Sequence, residues 1–239
     1  MSQIMSGIEE WPQADGAVWH VLPYRDGQLV LTGKGQELLE DRPEVIEHFS
    51  AYERRMLGGI ALEGVTDIET RSFVASGARS SVYDMAPGVV VKEAIKEGSP
   101  VGVLQRMDRL FNIIETDVPR WIDMPHQYGV VVARSLSKDL IFQQKIDSGI
   151  TVEWVLRPEL CADYQREAVE REFGEVPESE RELIGQAFDA SRRVLSQAIE
   201  KNGENPRSYL TDFHEGNMLI ERLRTPVASH RHKMWIIDQ

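Results

Sequence analysis

Cysteine is almost absent from this chain: Cys161 is the only one in 239 residues. An intrachain disulfide and a cysteine-based zinc site are thereby excluded, and a reducing, cytoplasmic setting is the default expectation. Long apolar runs are missing as well. No stretch approaches the ~20 residues that span a bilayer, and the polar start Met1-Ser2-Gln3 does not read as a secretory leader. Basic residues are few beside acidic ones: 27 Lys and Arg against 39 Asp and Glu give a formal net charge of −12. A chain this acidic is not expected to bind nucleic acid or an anionic membrane broadly. Internal repeats, heptad arrays and low-complexity segments are lacking too. With 41% hydrophobic and 28% charged residues, the chain suits one large domain or two small lobes with a real core.

Residues 1–65 read as an N-terminal extension. Val18-Trp19-His20-Val21-Leu22 and Gln28-Leu29-Val30-Leu31-Thr32 flank Asp26-Gly27, a hairpin signal. Asp41 and Pro43 then resemble the N-cap and first turn of a helix carrying Val45, Ile46, Phe49, Tyr52 and Met56, which Gly58-Gly59 stops. Residues 66–147 predict a small sheet, with strands near 70–75, 81–86, 88–95, 128–134 and 139–146. Its one helix places Val103, Leu104, Met107, Leu110, Phe111 and Ile114 on a single face. Residues 148–239 predict a helical lobe. Val152–Leu156 and Arg166–Phe173 come first. Ser179-Glu180-Arg181-Glu182 then reads as a capping box, before a helix burying Leu183, Ile184, Ala187, Phe188, Val194, Leu195, Ala198 and Ile199 that Asn202-Gly203 closes.

Two stretches carry chemistry. Near the C-terminus, Asp212-Phe213-His214-Glu215-Gly216-Asn217 leads into an apolar run, and a second apolar run ends at Asp238. That layout suits phosphoryl transfer. One carboxylate orients an attacking hydroxyl, while an amide oxygen and a second carboxylate, both hard donors, hold magnesium on nucleotide phosphates. Upstream, Phe73-Val74-Ala75-Ser76-Gly77-Ala78-Arg79-Ser80-Ser81-Val82-Tyr83 reads as strand, small-residue turn and strand. A Pro87-Gly88 reversal follows, then a strand carrying Lys92. Small residues let a backbone loop close over phosphates, and a lysine on the next strand reaches them as a point charge.

Taken together these segments resemble the protein-kinase-like superfamily. Ala75-x-Gly77-x-x-Ser80-x-Val82 stands where such proteins have Gly-x-Gly-x-x-Gly-x-Val, and Val90-Val91-Lys92 where they have Ala-Ile-Lys. The wording Asp-Phe-His-x-Gly-Asn is similar to aminoglycoside and choline phosphotransferases. The resemblance covers about residues 70–238 and implies an α+β bilobal fold, a small antiparallel sheet lobe plus a helical lobe, with ATP and magnesium as cofactors. By the same resemblance Lys145 to Gly149 is the hinge whose backbone holds adenine, Gln143 sits at the back of the nucleotide pocket, and His214 lines the phosphates or braces the loop. Asp108 and Glu115 are the two candidate acids for pairing with Lys92.

The expected activity is transfer of the γ-phosphoryl group to a hydroxyl. Asp212 is the base, Lys92 and the Ala75, Gly77, Ser80 and Val82 segment hold the phosphates, and Asn217 and Asp238 bind metal. The acceptor is a small molecule of aminoglycoside or amino-alcohol type, or a protein Ser or Thr. Nine acidic residues in 159–182 would favour a cationic acceptor if they lined the site; on outer helix faces they are solvated charge. A catalytically inactive binding module is the rival. The end at Gln239, one residue past Asp238, fits either a minimal kinase-like chain or a fragment. Arg79, His230 and His232 read as solvated loop and hairpin residues.

Overall fold

Sequence-adjacent antiparallel pairs and a valine-rich centre build the first sheet. In the computed structural model, which describes residues 9–12, 18–24, 27–45, 73–76, 80–95, 100–133, 138–227 and 230–237, strands β1 (Glu9–Pro12), β2 (Val18–Tyr24) and β3 (Gly27–Leu31) precede β4 (Phe73–Ser76), β5 (Ser80–Ala86) and β6 (Val89–Ile95). With β8 (Gln127–Ala133) and β9 (Lys138–Gln144) they form an eight-stranded sheet in the order β1-β2-β3-β8-β9-β6-β5-β4. Every pairing in it is antiparallel. The predicted hairpin is present: Tyr24 lies opposite Gly27. The Pro87-Gly88 reversal is too, with Gly88 at φ 73°, a left-handed conformation that glycine adopts without strain.

Alternation along the strands gives the sheet two apolar faces. On one, Val21, Val30, Val130 and Ile141 pack against Val103 and Leu104 of helix α2 (Pro100–Asp117). On the other, Leu29, Leu31, Val89, Val91, Val131, Leu140 and Phe142 pack against Leu38 and Leu39 of helix α1 (Gly33–Asp41).

Helix α1 corrects the sequence reading. It precedes the predicted helix: its N-cap is Thr32, whose Oγ1 accepts from the Gly35 amide at 3.1 Å, and Asp41 is its last residue. A separate helical stretch opens at Glu44-Val45, near the predicted start. Thr32 also donates to the Gln127 carbonyl at 2.6 Å, pinning α1 to β8. Gly33 and Gly35 lower helix propensity and so conceal α1. Gly35 is required by contact: a Cβ there would lie 1.8 Å from the Tyr128 carbonyl oxygen. The remainder of the predicted helix, beyond Val45, lies outside the described residues.

The described chain divides into two compact units, Met1–Asp108 with His126–Lys145, and Arg109–Pro125 with Ile146–Gln239. The second unit holds α3 (Val152–Leu156), α4 (Asp163–Phe173), α5 (Glu178–Lys201) and α6 (Pro206–Tyr209). Beside them is a four-stranded sheet, β10 (Ile150–Thr151), β11 (Met218–Val227), β12 (His230–Ile236) and β7 (Ile122–Asp123), whose β12–β7 pair is parallel. The fold is α+β with mostly antiparallel sheet. No helix among the described residues is long and apolar enough to cross a membrane.

Helix α5 buries Ile184, Phe188, Leu195, Ala198 and Ile199 as predicted, but Leu183 is 56% exposed. The helix begins at Glu178 after Pro177, with no side-chain cap. Ser179 therefore lies inside the first turn, and no capping box forms. Glu180, placed one residue further in, is engaged elsewhere. Its Oε1 accepts from Arg222 at 2.6 Å and lies 3.2 Å from His232 Nε2. Arg222 also donates to the Phe173 carbonyl at 3.0 Å and stacks over the Phe173 ring. His232, which faces Arg222 across the β11–β12 ladder, is buried and not a solvated hairpin residue.

Two predictions follow from these contacts. Gly35→Ala inserts a methyl against backbone that cannot rotate away. Overpacking of this kind costs about 1–3 kcal/mol or more, so the melting temperature should fall by roughly 3–10 °C; an unchanged melting curve would contradict the α1–β8 contact. Burial holds His232 below its usual 6.5, and the opposing pull of Glu180 does not offset it. The folded state therefore binds this proton less readily than the unfolded one. Stability from His232 is complete above that value and is lost as pH falls. Thermal melts from about pH 7.5 to about pH 5.5 should show a steeper decline in wild type than in His232→Phe, and equal slopes would remove His232 as the cause.

Candidate active site

Helix α5 stops at Asn202 and Gly203, the latter at φ 77°. The short helix α6 follows, with Pro206 at its start and Asn205 as its cap, Oδ1 accepting from the Arg207 amide at 3.1 Å. Tyr209 and Leu210 are buried, and the chain then enters the Asp212 to Asn217 loop. Phe213 fixes this loop. It is buried and stacks on Phe188 of α5 with ring centroids 5.2 Å apart. Its neighbours Asp212 and His214 consequently emerge into solvent, with side chains 55% and 51% exposed.

Asn217 closes the loop on itself. Its Nδ2 donates to the Asp212 carbonyl at 2.9 Å and to Asp212 Oδ2 at 3.1 Å. The Asn217 amide donates to the His214 carbonyl at 3.0 Å across a 3-10 turn, Glu215–Asn217. On the other side, the Ile237 amide donates to the Asn217 carbonyl at 3.1 Å, extending the β11–β12 ladder that starts at Met218 and Ile236. This bond places the residue preceding Asp238 against Asn217. Asp238 itself lies outside the described residues.

Charged groups of α3 and the residue after it back the loop. Arg157 donates to Glu215 Oε1 at 2.9 Å and lies 3.8 Å from Glu153 Oε1. Gly216 is a close-approach glycine: a Cβ there would lie 2.8 Å from His214 Cε1 and 3.1 Å from Glu153 Oε2. The sequence reading missed Glu153 and Arg157. Their separation of 58 residues between Arg157 and Glu215 leaves no local signal.

In the first unit the register lines up several nucleotide candidates. Ala75 is opposite Val82, Val82 opposite Lys92, and Lys92 opposite Ile141, across β4, β5, β6 and β9. Lys92 is half-buried and shares its face with Ile141, the face that packs on α2. Gln143, two residues beyond Ile141, is on that face, buried, and opposite Val90. Ser80 pairs with Ala94. Asp108 on α2 is half-buried, whereas Glu115 is exposed. Gly77 and Arg79 lie outside the described residues.

Lys145 makes two contacts within the same unit. Its amide donates to the Gly88 carbonyl at 3.0 Å, and its Nζ pairs with Asp84 Oδ1 at 2.7 Å. Gln144 likewise donates its amide to the His126 carbonyl at 2.9 Å.

Asn217 Oδ1 accepts no hydrogen bond among the described residues, because the side chain is turned with Nδ2 toward Asp212. That leaves one hard oxygen donor of the kind magnesium accepts, while Asp238, the second donor expected from the sequence, lies outside the described residues. Among the described residues no group of three His, Cys, Asp or Glu could hold a metal ion. Of the nine acids in 159–182, eight are exposed and Glu180 is half-buried; Asp163, Glu172 and Glu178 pair with Arg166, Arg171 and Arg181. Compared with models of protein families and with curated proteins, the chain matches none.

Proposed function

We propose that this chain has a bilobal, protein-kinase-like fold and moves the γ-phosphoryl group of ATP to a hydroxyl, with magnesium. The observation that carries this reading is the Asp212–Asn217 clamp. An exposed carboxylate fixed by a neighbouring amide suits a group that must meet an incoming hydroxyl in one orientation. The Ile237 bond to Asn217 adds support, since it brings the chain carrying Asp238 to the second hard oxygen donor. The row Ala75, Val82, Lys92 supports a strand lysine that positions phosphates beneath a small-residue turn.

Each residue has a role in that reaction. Asp212 accepts a hydrogen bond from the acceptor hydroxyl and aligns its lone pair with the γ-phosphorus. As the new O–P bond forms and the bond to the departing ADP breaks, the hydroxyl proton passes to Asp212. Lys92 draws the phosphates into register by charge. Asn217 Oδ1 and Asp238 would hold magnesium, which supplies charge neutralisation on the phosphates. With the Lys145 amide given to Gly88, an adenine base would take its contacts from other backbone groups of the 145–149 segment.

The acceptor is a hydroxyl of an aminoglycoside-like molecule or amino-alcohol, or of a protein Ser or Thr. The acids of 159–182 lend the cationic option little weight: most are solvated, and Glu180 is tied to Arg222 and His232.

The test is transfer of labelled γ-phosphate from magnesium-ATP to a panel of both acceptor classes. Asp212→Asn should lower the rate about 10²–10⁴-fold, the range for a lost general base. Wild-type protein that binds magnesium-ATP but phosphorylates no acceptor would leave a nucleotide-binding module instead.

A further inference from the structure

The Gly216 amide lies 3.0 Å from His214 Nδ1 and donates to it. A backbone N–H can only donate, so Nδ1 must present its lone pair, and the neutral ring carries its proton on Nε2. That nitrogen lies 3.7 Å from Asp212 Oδ1, while Asn217 Nδ2 occupies the other oxygen, Oδ2, at 3.1 Å. The two carboxylate oxygens therefore face two different N–H donors of the same loop.

From this geometry we infer that His214 is a positioning residue: locked as its Nε2–H tautomer by Gly216, it forms with Asn217 a two-sided cradle that fixes the rotation of the Asp212 carboxylate. A carboxylate held by a single donor can turn about its terminal torsion, which is broad and nearly two-fold. Held on both sides, it offers its remaining lone pairs in one direction, toward an acceptor hydroxyl. The separation of 3.7 Å is longer than a hydrogen bond, as contacts of this kind often are before substrate arrives and tightens them. Gly216 is what makes the arrangement possible. Any Cβ there would lie 3.0 Å from Nδ1 and 2.8 Å from Cε1, displacing the ring that the amide holds. His214 is half-exposed, so its orientation comes from this bond and not from core packing. The kinetic consequence rests on the phosphotransferase reading; the cradle itself does not.

The test has one arm for each. Ring nitrogen resonances of His214, observed by long-range proton–nitrogen correlation near neutral pH, should show a bare Nδ1 and a protonated Nε2. Gly216→Ala should remove that preference, and Asp212→Ala should shift the Nε2 signal. The opposite tautomer, an even mixture, or an Nε2 signal indifferent to Asp212→Ala would overturn the cradle. In the kinetic arm, His214→Asn keeps an acceptor for the Gly216 amide but is too short to reach Asp212. It should lower kcat roughly 10- to 100-fold, the scale of a misplaced reacting group, with KM for ATP and the melting temperature unchanged. His214→Gln, which extends an N–H donor toward Asp212, should recover part of the rate. Unaltered kcat in His214→Asn would overturn the positioning role. Absence of transfer by wild type would instead refute the phosphotransferase reading, with the ring spectra still deciding the cradle.

Discussion

Asn217 reaches back five residues and bonds both the carbonyl and the carboxylate of Asp212. The candidate chemistry depends on that one side chain. Without it the carboxylate would be a solvated loop acid, one of many in this chain. With it, the loop has a fixed shape, a carboxylate with a defined heading and an amide oxygen left over for a cation. The clamp is itself held from two sides. Phe213 stacked on Phe188 anchors the loop to α5, and the Ile237 bond joins it to the β11–β12 ladder. Net hydrogen-bond contributions of ~1 kcal/mol each are modest, so the rigidity comes from their number and from the buried ring beneath them.

The second constraint is the two-residue period of the sheet. Because side chains alternate, Lys92 emerges on the face covered by α2 while its neighbours Val91 and Glu93 turn to the face of the α1 cluster. A one-residue slip of β6 would exchange them and bury a lysine among Leu140, Phe142 and Val131. The run Val89-Val90-Val91, buried throughout, would put valine against either face in both registers, so the choice rests on Lys92 and the residues beyond it. Register thus decides which residue meets the phosphates in the proposed reaction.

Much of this was legible in sequence. The hairpin at Asp26-Gly27, the strands flanking Pro87-Gly88 and the long helix ending at Asn202-Gly203 all declare themselves through local chemistry: turn residues, β-branched runs and an apolar period. The misses arose where tertiary contact overrides local preference. Helix α1 carries Gly35 because its backbone lies against the Tyr128 carbonyl, whereas a Cβ at Gly33 would meet nothing within 4 Å. Glu180 looked like part of a helix start, yet it serves Arg222 and His232, more than forty residues away in sequence. The same long-range bond makes His232 a buried group where a charged hairpin suggested solvent. In the site, the spacing of Asp212 and Asn217 was visible. The tautomer of His214 was not, since it follows from the direction of one backbone amide.

The proposed function requires that magnesium-ATP binding depend on Lys92 and on Asn217, one in each unit. Calorimetric titration of magnesium-ATP into wild type, Lys92→Ala and Asn217→Ala tests it directly, with circular dichroism confirming that the variants fold. The account predicts saturable, magnesium-dependent binding to wild type and a loss of about 10-fold or more in each variant, equivalent to ~1.4 kcal/mol. Wild-type affinity retained in both variants, or no magnesium-dependent binding to wild type at all, would contradict it.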